Sequence, residues 1–423
     1  MGKTIAEKIL CRASGRWNAR PGDYVVAEID LAMVHDGWAY VGPILREAGV
    51  ERLWDPEKVV TVFDHFTPPP TVDDANAYKV AREAVRDYKV VHNYGQNAGV
   101  CHQVFMEKGH ILPGMLVVGI DSHTMTYGAL GAAGASLGFS EMAYALTTGK
   151  LWFKIPQTIR FRLTGRLRED VSAKDVIIYL IGKFGVSFAQ YKSVEYCGDA
   201  VSDMSVSERM TLANMTAEMG AKFAFVDCDQ KTHEYLAGRA RGPYSPVAAD
   251  SDAVYEIDLV VDLSGLEPQV ACPFSVDNAK NVQEVTGIQV NQAVLGSCTN
   301  GRIEDLRIGA DILKRRPVSP DVNLIVIPAS AEIYKQAMSE GLIDIFINAG
   351  AIVCHACCGP CNGGHLGMLA AGDVCISSTS RNFKNRMGAP GSEVYLASPA
   401  VVAASAVTGR ITDPRAIREG VID

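Results

Sequence analysis

Cys354-His-Ala-Cys-Cys-Gly-Pro-Cys-Asn-Gly-Gly364 carries four cysteines, at 354, 357, 358 and 361. Two Cys-x-x-Cys registers overlap, Cys354 with Cys357 and Cys358 with Cys361. Such a spacing puts two thiolates on one turn, close enough to hold one metal centre. Gly359 and Pro360 favour a tight turn inside the second register and keep the backbone bare beside any inorganic sulfur. Gly363 and Gly364 extend that surface, so the second register is preferred. Reduced, buried cysteines acting as small core residues are the plain alternative. Adjacent Cys357 and Cys358 argue against it, because neighbours on a regular strand face opposite ways. Zinc, a redox dithiol and an iron–sulfur centre remain open from these residues alone.

Working outward, Gly350–Val353 is a short apolar strand that runs directly into the cluster. Downstream, strand-like Val374–Ser377 leads into Ser378-Thr-Ser-Arg-Asn-Phe-Lys-Asn-Arg386. Arg381 and Arg386 thus lie past a strand end, where guanidinium forks can hold a carboxylate; taken alone, a solvated basic turn is the simpler reading. Upstream, Asn323–Pro328 is a strand, and strand Gln289–Leu295 stops at Gly296-Ser-Cys-Thr-Asn-Gly301. A helix pattern at Ile303, Leu306, Ala310 and Leu313 follows. Cys298 therefore occupies a strand-to-helix turn, where a helix N-terminus is expected to lower its pKa.

Residues 1–150 alternate strand and helix, which implies a parallel sheet covered on both faces. An amphipathic helix is expected over Met1–Leu10 and another over Asp73–Asp87. Strand Lys58–Phe63 leads into Asp64-His65, Lys89–His92 leads to His102, and Met115–Ile120 leads into Asp121-Ser-His123. Any one of these histidines could be structural. Three arriving past the carboxyl ends of parallel strands, where open α/β sheets bind ligands, point to a site. His35-Asp36 follows the apolar run Tyr24–Val34 and reads equally well as a solvated turn. Gly128–Gly138 is dense in Gly and Ala but has no phosphate-loop spacing; close helix packing is expected there. Thr158–Leu163 reads as a strand and Ser172–Gly182 as a helix capped by Ser172. Helix Ser207–Gly220 carries a polar stripe of Thr211, Asn214 and Glu218, which pattern alone assigns to solvent.

The chain has 423 residues, 48% of them hydrophobic and 21% charged, so two to four soluble domains are expected. A net charge of −8 with no long basic run argues against broad nucleic-acid binding and leaves room only for a local basic groove. Eleven cysteines, an odd number, without a secretory leader imply a reducing, cytoplasmic setting. No apolar run is long enough to span a membrane.

Val62-Phe-Asp-His65, Gly119-Ile-Asp-Ser-His-Thr124, Asn214-Met-Thr-Ala-Glu218, Gly296-Ser-Cys-Thr-Asn300, Cys358-Gly-Pro-Cys361 and Ser380-Arg-Asn-Phe-Lys-Asn-Arg386 occur in the order found in aconitases. The chain resembles that family over essentially its whole length. Its length and its Cys-Gly-Pro-Cys form are similar to large subunits of the isopropylmalate isomerase and homoaconitase branch. The resemblance implies three α/β/α domains with parallel-rich sheets around a central iron–sulfur cleft, here 1–151, 152–260 and 261–423. It implies one [4Fe–4S] cluster held by Cys298, Cys358 and Cys361, with one iron lacking a protein ligand, and leaves Cys354 and Cys357 to packing. An open iron is a Lewis acid for a substrate hydroxyl and carboxylate.

By the same resemblance, Asp64 orients His65 to protonate a departing hydroxyl. His102 is a second active-site histidine, with Glu218 as its expected partner. Asp121 and His123 match residues near the iron-bound water, and Asn214 one close to the cluster. Arg381 and Arg386 match arginines that hold carboxylate. The polar stripe of helix 207–220 is then expected to face the cleft. Ser380 and Asn362 depart from the family pattern, which usually has Asn and Leu there. Family members in one chain carry a further swivelling domain. This chain reaches Asp423 where the third domain would end, so a small-subunit partner carrying that domain is expected. The implied reaction is dehydration and rehydration of a hydroxy-dicarboxylate or tricarboxylate. 3-Isopropylmalate is the first expectation, with homoaconitate and 2,3-dimethylmalate behind it. An iron-sensing RNA-binding protein and a zinc-stabilised structural protein are the readings from other classes. The charge opposes the first, and the array of Asp, His and Arg at strand ends has no use in the second.

Overall fold

The computed structural model describes residues 2–420. Met1 and residues 421–423, the outer ends of the first and last expected regions, lie outside the described residues. No helix among the described residues is long and apolar enough to cross a membrane.

Three larger sheets follow one another along the chain. The first is fully parallel, in the order His92–Asn93, Val59–Thr61, Leu31–Val34, Leu116–Gly119, Ala133–Ser136. The second is also parallel: Phe223–Val226, Ser193–Cys197, Thr158–Thr164, Ile257–Asp262. The third has seven strands. Glu393–Ala397, Val374–Ser377, Gln292–Gly296, Asn323–Ile327 and Ile352–Val353 run parallel, and Gln269–Ala271 and Ala279–Asn281 extend it antiparallel. The apolar strands expected from the sequence are thus mostly buried parallel strands, which read as continuous Val/Ile/Leu runs because helices cover both faces. One continuous core joins all three sheets, through Val60 and Val117, Phe161 and Tyr196, and Val294 and Leu396.

Local signals place the helices. Thr4 and Glu7 form a reciprocal capping box, so the first helix is Ile5–Ser14 and starts later than expected. Ser172 caps Ala173–Phe184 in the same way, with Asp175 reaching back to the Ser172 amide. Val72–Asp87 closely matches its expected span.

Two expectations are corrected. The run Tyr24–Val34 is not one strand. Tyr24–Glu28 pairs antiparallel with Lys150–Lys154, whereas Leu31–Val34 enters the first sheet. Asp30 divides them, because its carboxylate accepts the Leu116 amide (2.6 Å) and an Arg12 guanidinium (2.5 Å) and turns the chain from one sheet to the other. Gly128–Gly138 is not a packed helix but a 3₁₀ turn, Thr124–Leu130, followed by strand Ala133–Ser136. Its glycines still serve close approach: a Cβ on Gly128 would lie 1.7 Å from the Ala224 carbonyl oxygen.

Candidate active site

The carboxyl ends of the first and third sheets meet around a cavity of about 320 Å³. Lining it are His35, His65, His102, Asp121 and His123 from one side, and Cys298, Cys358, Cys361, Arg381 and Arg386 from the other. The two sides are stitched by backbone: the Cys358 amide donates to the Asp64 carbonyl (2.8 Å), and the Val100 amide to the Ala329 carbonyl (2.9 Å).

Each cysteine is placed by a turn the sequence dictates. Strand Gln292–Gly296 ends at Gly296, whose φ of 145° and close approach to the Ile327 carbonyl (2.1 Å from a Cβ built there) admit only glycine. Cys298 follows on a four-residue helix, Ser297–Asn300. Cys358 caps the 3₁₀ turn Gly359–Asn362, which Gly359 starts at φ 65° and which carries Cys361 within it. Cys354 and Cys357 are absent from the cavity wall: Cys357 belongs to the central core, and half-buried Cys354 packs against it. Cys357 and Cys358 are nonetheless both buried, because the chain there is irregular rather than a strand, and side-chain alternation does not apply.

The expected lowering of the Cys298 pKa is corrected. Burial pushes its thiol up to about 11, and the neighbouring Cys361 thiol adds to the rise. A helix of four residues carries too little dipole to oppose this. Cys361 is held low, first by a hydrogen bond from Cys358 and, against burial, by the nearby Arg386. Polar groups converge on the sulfurs: Asn214 Nδ2 lies 3.5 Å from Cys298 Sγ, Thr299 Oγ1 3.7 Å from the same atom, and Ser380 Oγ 3.7 Å from Cys361 Sγ. Ser380, one of the two departures, therefore touches Cys361, and Asn362, the other, lines the cavity.

Asp64 is fully buried. Its Oδ1 is 2.7 Å from His65 Nδ1, and its Oδ2 accepts the Cys101 amide at 2.7 Å. Burial opposes its ionisation, but the His65 imidazole and these hydrogen bonds hold it down at about 2. His65 in turn is raised well above its ordinary value. Burial works against this, and Asp64 and Asp121 overcome it. The pair is fixed from behind by Asp36, whose Oδ2 accepts the amides of Asp64 (2.8 Å) and His65 (2.9 Å). His35 stacks on His65 with ring centroids 4.2 Å apart. His35-Asp36 is therefore part of the site and not a solvated turn.

Asp121 is the hub. Its Oδ1 lies 2.6 Å from His102 Nε2 and accepts the His123 amide at 2.7 Å, and its Oδ2 lies 3.5 Å from His65 Nε2. Its pKa falls well below the ordinary carboxylate value, against burial, chiefly through His102. The expected pairing of His102 with Glu218 is thus corrected. Glu218 Oε1 instead meets His123 Nε2 at 3.1 Å and accepts Arg381 Nε at 2.8 Å. The reason is local: helix Val206–Met215 tightens into the 3₁₀ turn Thr216–Met219, which presents Glu218 to the loop after Leu116–Gly119. The site holds three carboxylate–imidazole pairs: Asp64–His65, Asp121–His102 and Glu218–His123. Thr211, Asn214 and Glu218 are all buried, so the polar stripe does face inward.

Both arginines are held by Nε. Arg381 donates to Glu218, and Arg386 donates to the Cys361 carbonyl at 2.7 Å. Among the described residues their terminal nitrogens have no hydrogen-bond partner, which leaves two guanidinium forks open to a carboxylate.

Sequence reasoning missed Asp36's role, and it missed Arg302, which is buried and donates to the carbonyls of Cys298 and Thr299 at 2.7 Å each. The signal for Arg302 was its position directly after the Gly296–Gly301 turn.

Residues 55–287 and 278–409 match the aconitase family (aconitate hydratase). The chain is 52% identical over 419 residues to 3-isopropylmalate dehydratase large subunit 1 of Methanopyrus kandleri, covering 98% of this chain and 99% of that one. It is 47% identical over 418 residues to a probable methanogen homoaconitase large subunit of Methanothermobacter thermautotrophicus, covering 97% of each. Among solved structures it resembles aconitase X of Thermococcus kodakaraensis, with a TM-score of 0.50 at 12% identity over 89% of this chain and 88% of the other, a likeness of fold.

Proposed function

Because the chain belongs to the aconitase family, we propose that it is the cluster-bearing large subunit of a hydro-lyase that dehydrates and rehydrates a hydroxy-dicarboxylate, with 3-isopropylmalate as substrate. The observation that carries this is the convergence of three thiols, three carboxylate–imidazole pairs and two open guanidinium forks on one cavity. The donor set fits a [4Fe–4S] cluster. Cys298, Cys358 and Cys361 supply three soft ligands, whereas a closed zinc site takes four. The hydroxyl and amide groups around the sulfurs are the contacts that tune such a cluster. When bound, the cluster supplies a Lewis-acidic iron without a protein ligand, for a hydroxyl and a carboxylate.

The protein's own part follows from its protonation states. Asp64 and Asp121 hold His65 as an imidazolium inside the cavity, poised to give its Nε2 proton to a departing hydroxyl. Asp121 fixes the His102 ring, and Glu218 fixes the His123 ring while aligning Arg381. Arg381 and Arg386 bind a substrate carboxylate bidentately and orient the carbon skeleton. Asn214 hydrogen-bonds beside the cluster.

The relatives' names as large subunits support a small-subunit partner, which completes the substrate site. The relative named as a probable homoaconitase large subunit supports homoaconitate as the second candidate. The test is anaerobic co-expression with such a small subunit, followed by assay against 3-isopropylmalate, homocitrate and 2,3-dimethylmalate. Selective turnover of 3-isopropylmalate is expected. A complex with an intact cluster that turns over none of these would overturn the proposal.

A further inference from the structure

We propose that Lys174 is the buried counter-cation of the cluster site, a positioning residue whose charge stabilises the reduced cluster relative to the oxidised one. The inference rests on the cluster reading above and deepens it. Lys174 is completely buried. It is the second residue of helix Ala173–Phe184, at the positive end of the helix dipole, where a cation is unfavourable. Its Nζ donates to the Ser378 carbonyl (2.9 Å) and to the Thr379 carbonyl, and among the described residues it makes no ion pair. The adjacent carboxylate, like that of Asp305, compensates it only in part. Asp175 is spent on the Ser172 amide and hydroxyl (2.8 and 3.0 Å) and on the Gln269 amide (2.9 Å), and burial raises it to about 6.

Taking an unpaired ammonium out of water costs several kcal/mol by the general rule for buried ions, so the position calls for an anion nearby. The two carbonyls that Lys174 grips show which one. The next residue, Ser380, has its hydroxyl 3.7 Å from Cys361 Sγ. Ser378 Oγ accepts the Gly296 amide (2.9 Å), two residues before Cys298. The ammonium thus sits where the Ser378–Ser380 turn ties the Cys361 and Cys298 loops together. Burial pushes it down to about 7, and the thiols of Cys361 and Cys298 are the largest influences pulling it back up. A [4Fe–4S] centre on three thiolates is a net anion that gains one more negative charge on one-electron reduction. A buried cation beside it favours that reduced form, and the bound cluster in turn keeps Lys174 charged.

Lys174→Gln keeps amide donors for the two carbonyls and removes the charge, whereas Lys174→Arg keeps the charge. The experiment is a redox titration of the anaerobically reconstituted chain, followed by electron paramagnetic resonance, with thermal melts of the cluster-free proteins alongside. In K174Q the reduction equilibrium is expected to fall about tenfold, about 59 mV for one electron. K174R should sit near wild type, and cluster-free K174Q should melt no lower than the cluster-free wild type. An unchanged potential in K174Q would overturn the proposal. So would a cluster-free K174Q that is unfolded or clearly destabilised, since Lys174 would then be a strut needed before any cluster is present. A wild-type chain that takes up no [4Fe–4S] signal would instead overturn the cluster reading itself, and this inference with it.

Discussion

Asp121→Asn is the most informative single change, because one carboxylate serves three partners with different needs. The His123 amide, 2.7 Å from Oδ1, requires an acceptor, so the asparagine oxygen must occupy that position. The new NH₂ group is then forced to the Oδ2 position, 3.5 Å from His65 Nε2, where it faces a protonated nitrogen and repels it. His102 keeps an acceptor at 2.6 Å but loses its charge, which reduces a bond of about 1.5–3 kcal/mol to about 0.5–1.5. The lost attraction for the His65 imidazolium is bounded by roughly 5 kcal/mol at this separation. The two losses share one group and do not simply add. We expect about 3 kcal/mol in the barrier, which is about a 10²-fold fall in kcat. His65 should also titrate at lower pH than in wild type. The first is read from kcat in the reconstituted complex, the second from histidine resonances in the cluster-free chain. Activity within threefold of wild type, or an unshifted His65, would refute the hub assignment.

Asp36→Ala strips the acceptor from two main-chain amides behind the Asp64–His65 pair. It should destabilise the chain by about 2–4 kcal/mol in urea unfolding, and a change under 0.5 kcal/mol would show that the cradle is idle. Cys354→Ala and Cys357→Ala should retain the iron–sulfur absorbance, the second losing roughly 1 kcal/mol of stability, whereas Cys358→Ala and Cys361→Ala should abolish it; loss of the cluster in C354A would reassign the ligands. Stability should also depend on pH at both ends. Asp64 is held at about 2 against 3.8 in the unfolded chain, so its roughly 2 kcal/mol is present above 3.8 and lost as pH falls through about 2. The His65 contribution is fully present below 6.5 and lost as pH rises through its higher folded value. Urea midpoints across pH test this, and an Asp64→Asn variant with an unaltered acid limb would contradict it.

Much of the site could be read along the chain because parallel strands deliver functional side chains just past their carboxyl ends. Asp64, His65, Asp121, His123, Cys298, Arg381 and Arg386 all follow such a strand. The pairing of Glu218 with His123 rather than His102 could not be read so, since it depends on how a 3₁₀ turn aims Glu218 from another part of the chain. Asp36 was obscure for a different reason: its partners are backbone amides, which carry no residue-type signal. Lys174 was hidden because a lysine in the first turn of a helix normally reads as solvated. The split at Asp30 was missed because apolar runs on both sides of one acid look like a single strand.

The contacts between the two sides of the cavity also set an order of events in time. His355 bonds the Thr67 carbonyl across 288 residues of chain, and closing a loop of that length costs roughly 5 kcal/mol in chain entropy. Such a contact is expected to form after the local pairings within each sheet. A nascent chain that has not yet extended past Cys361 presents its histidines without the full thiol set. The carboxylate–imidazole pairs Asp64–His65 and Asp121–His102 can therefore form before the thiols of Cys358 and Cys361 have been made, and the cavity closes only when the first and third sheets meet.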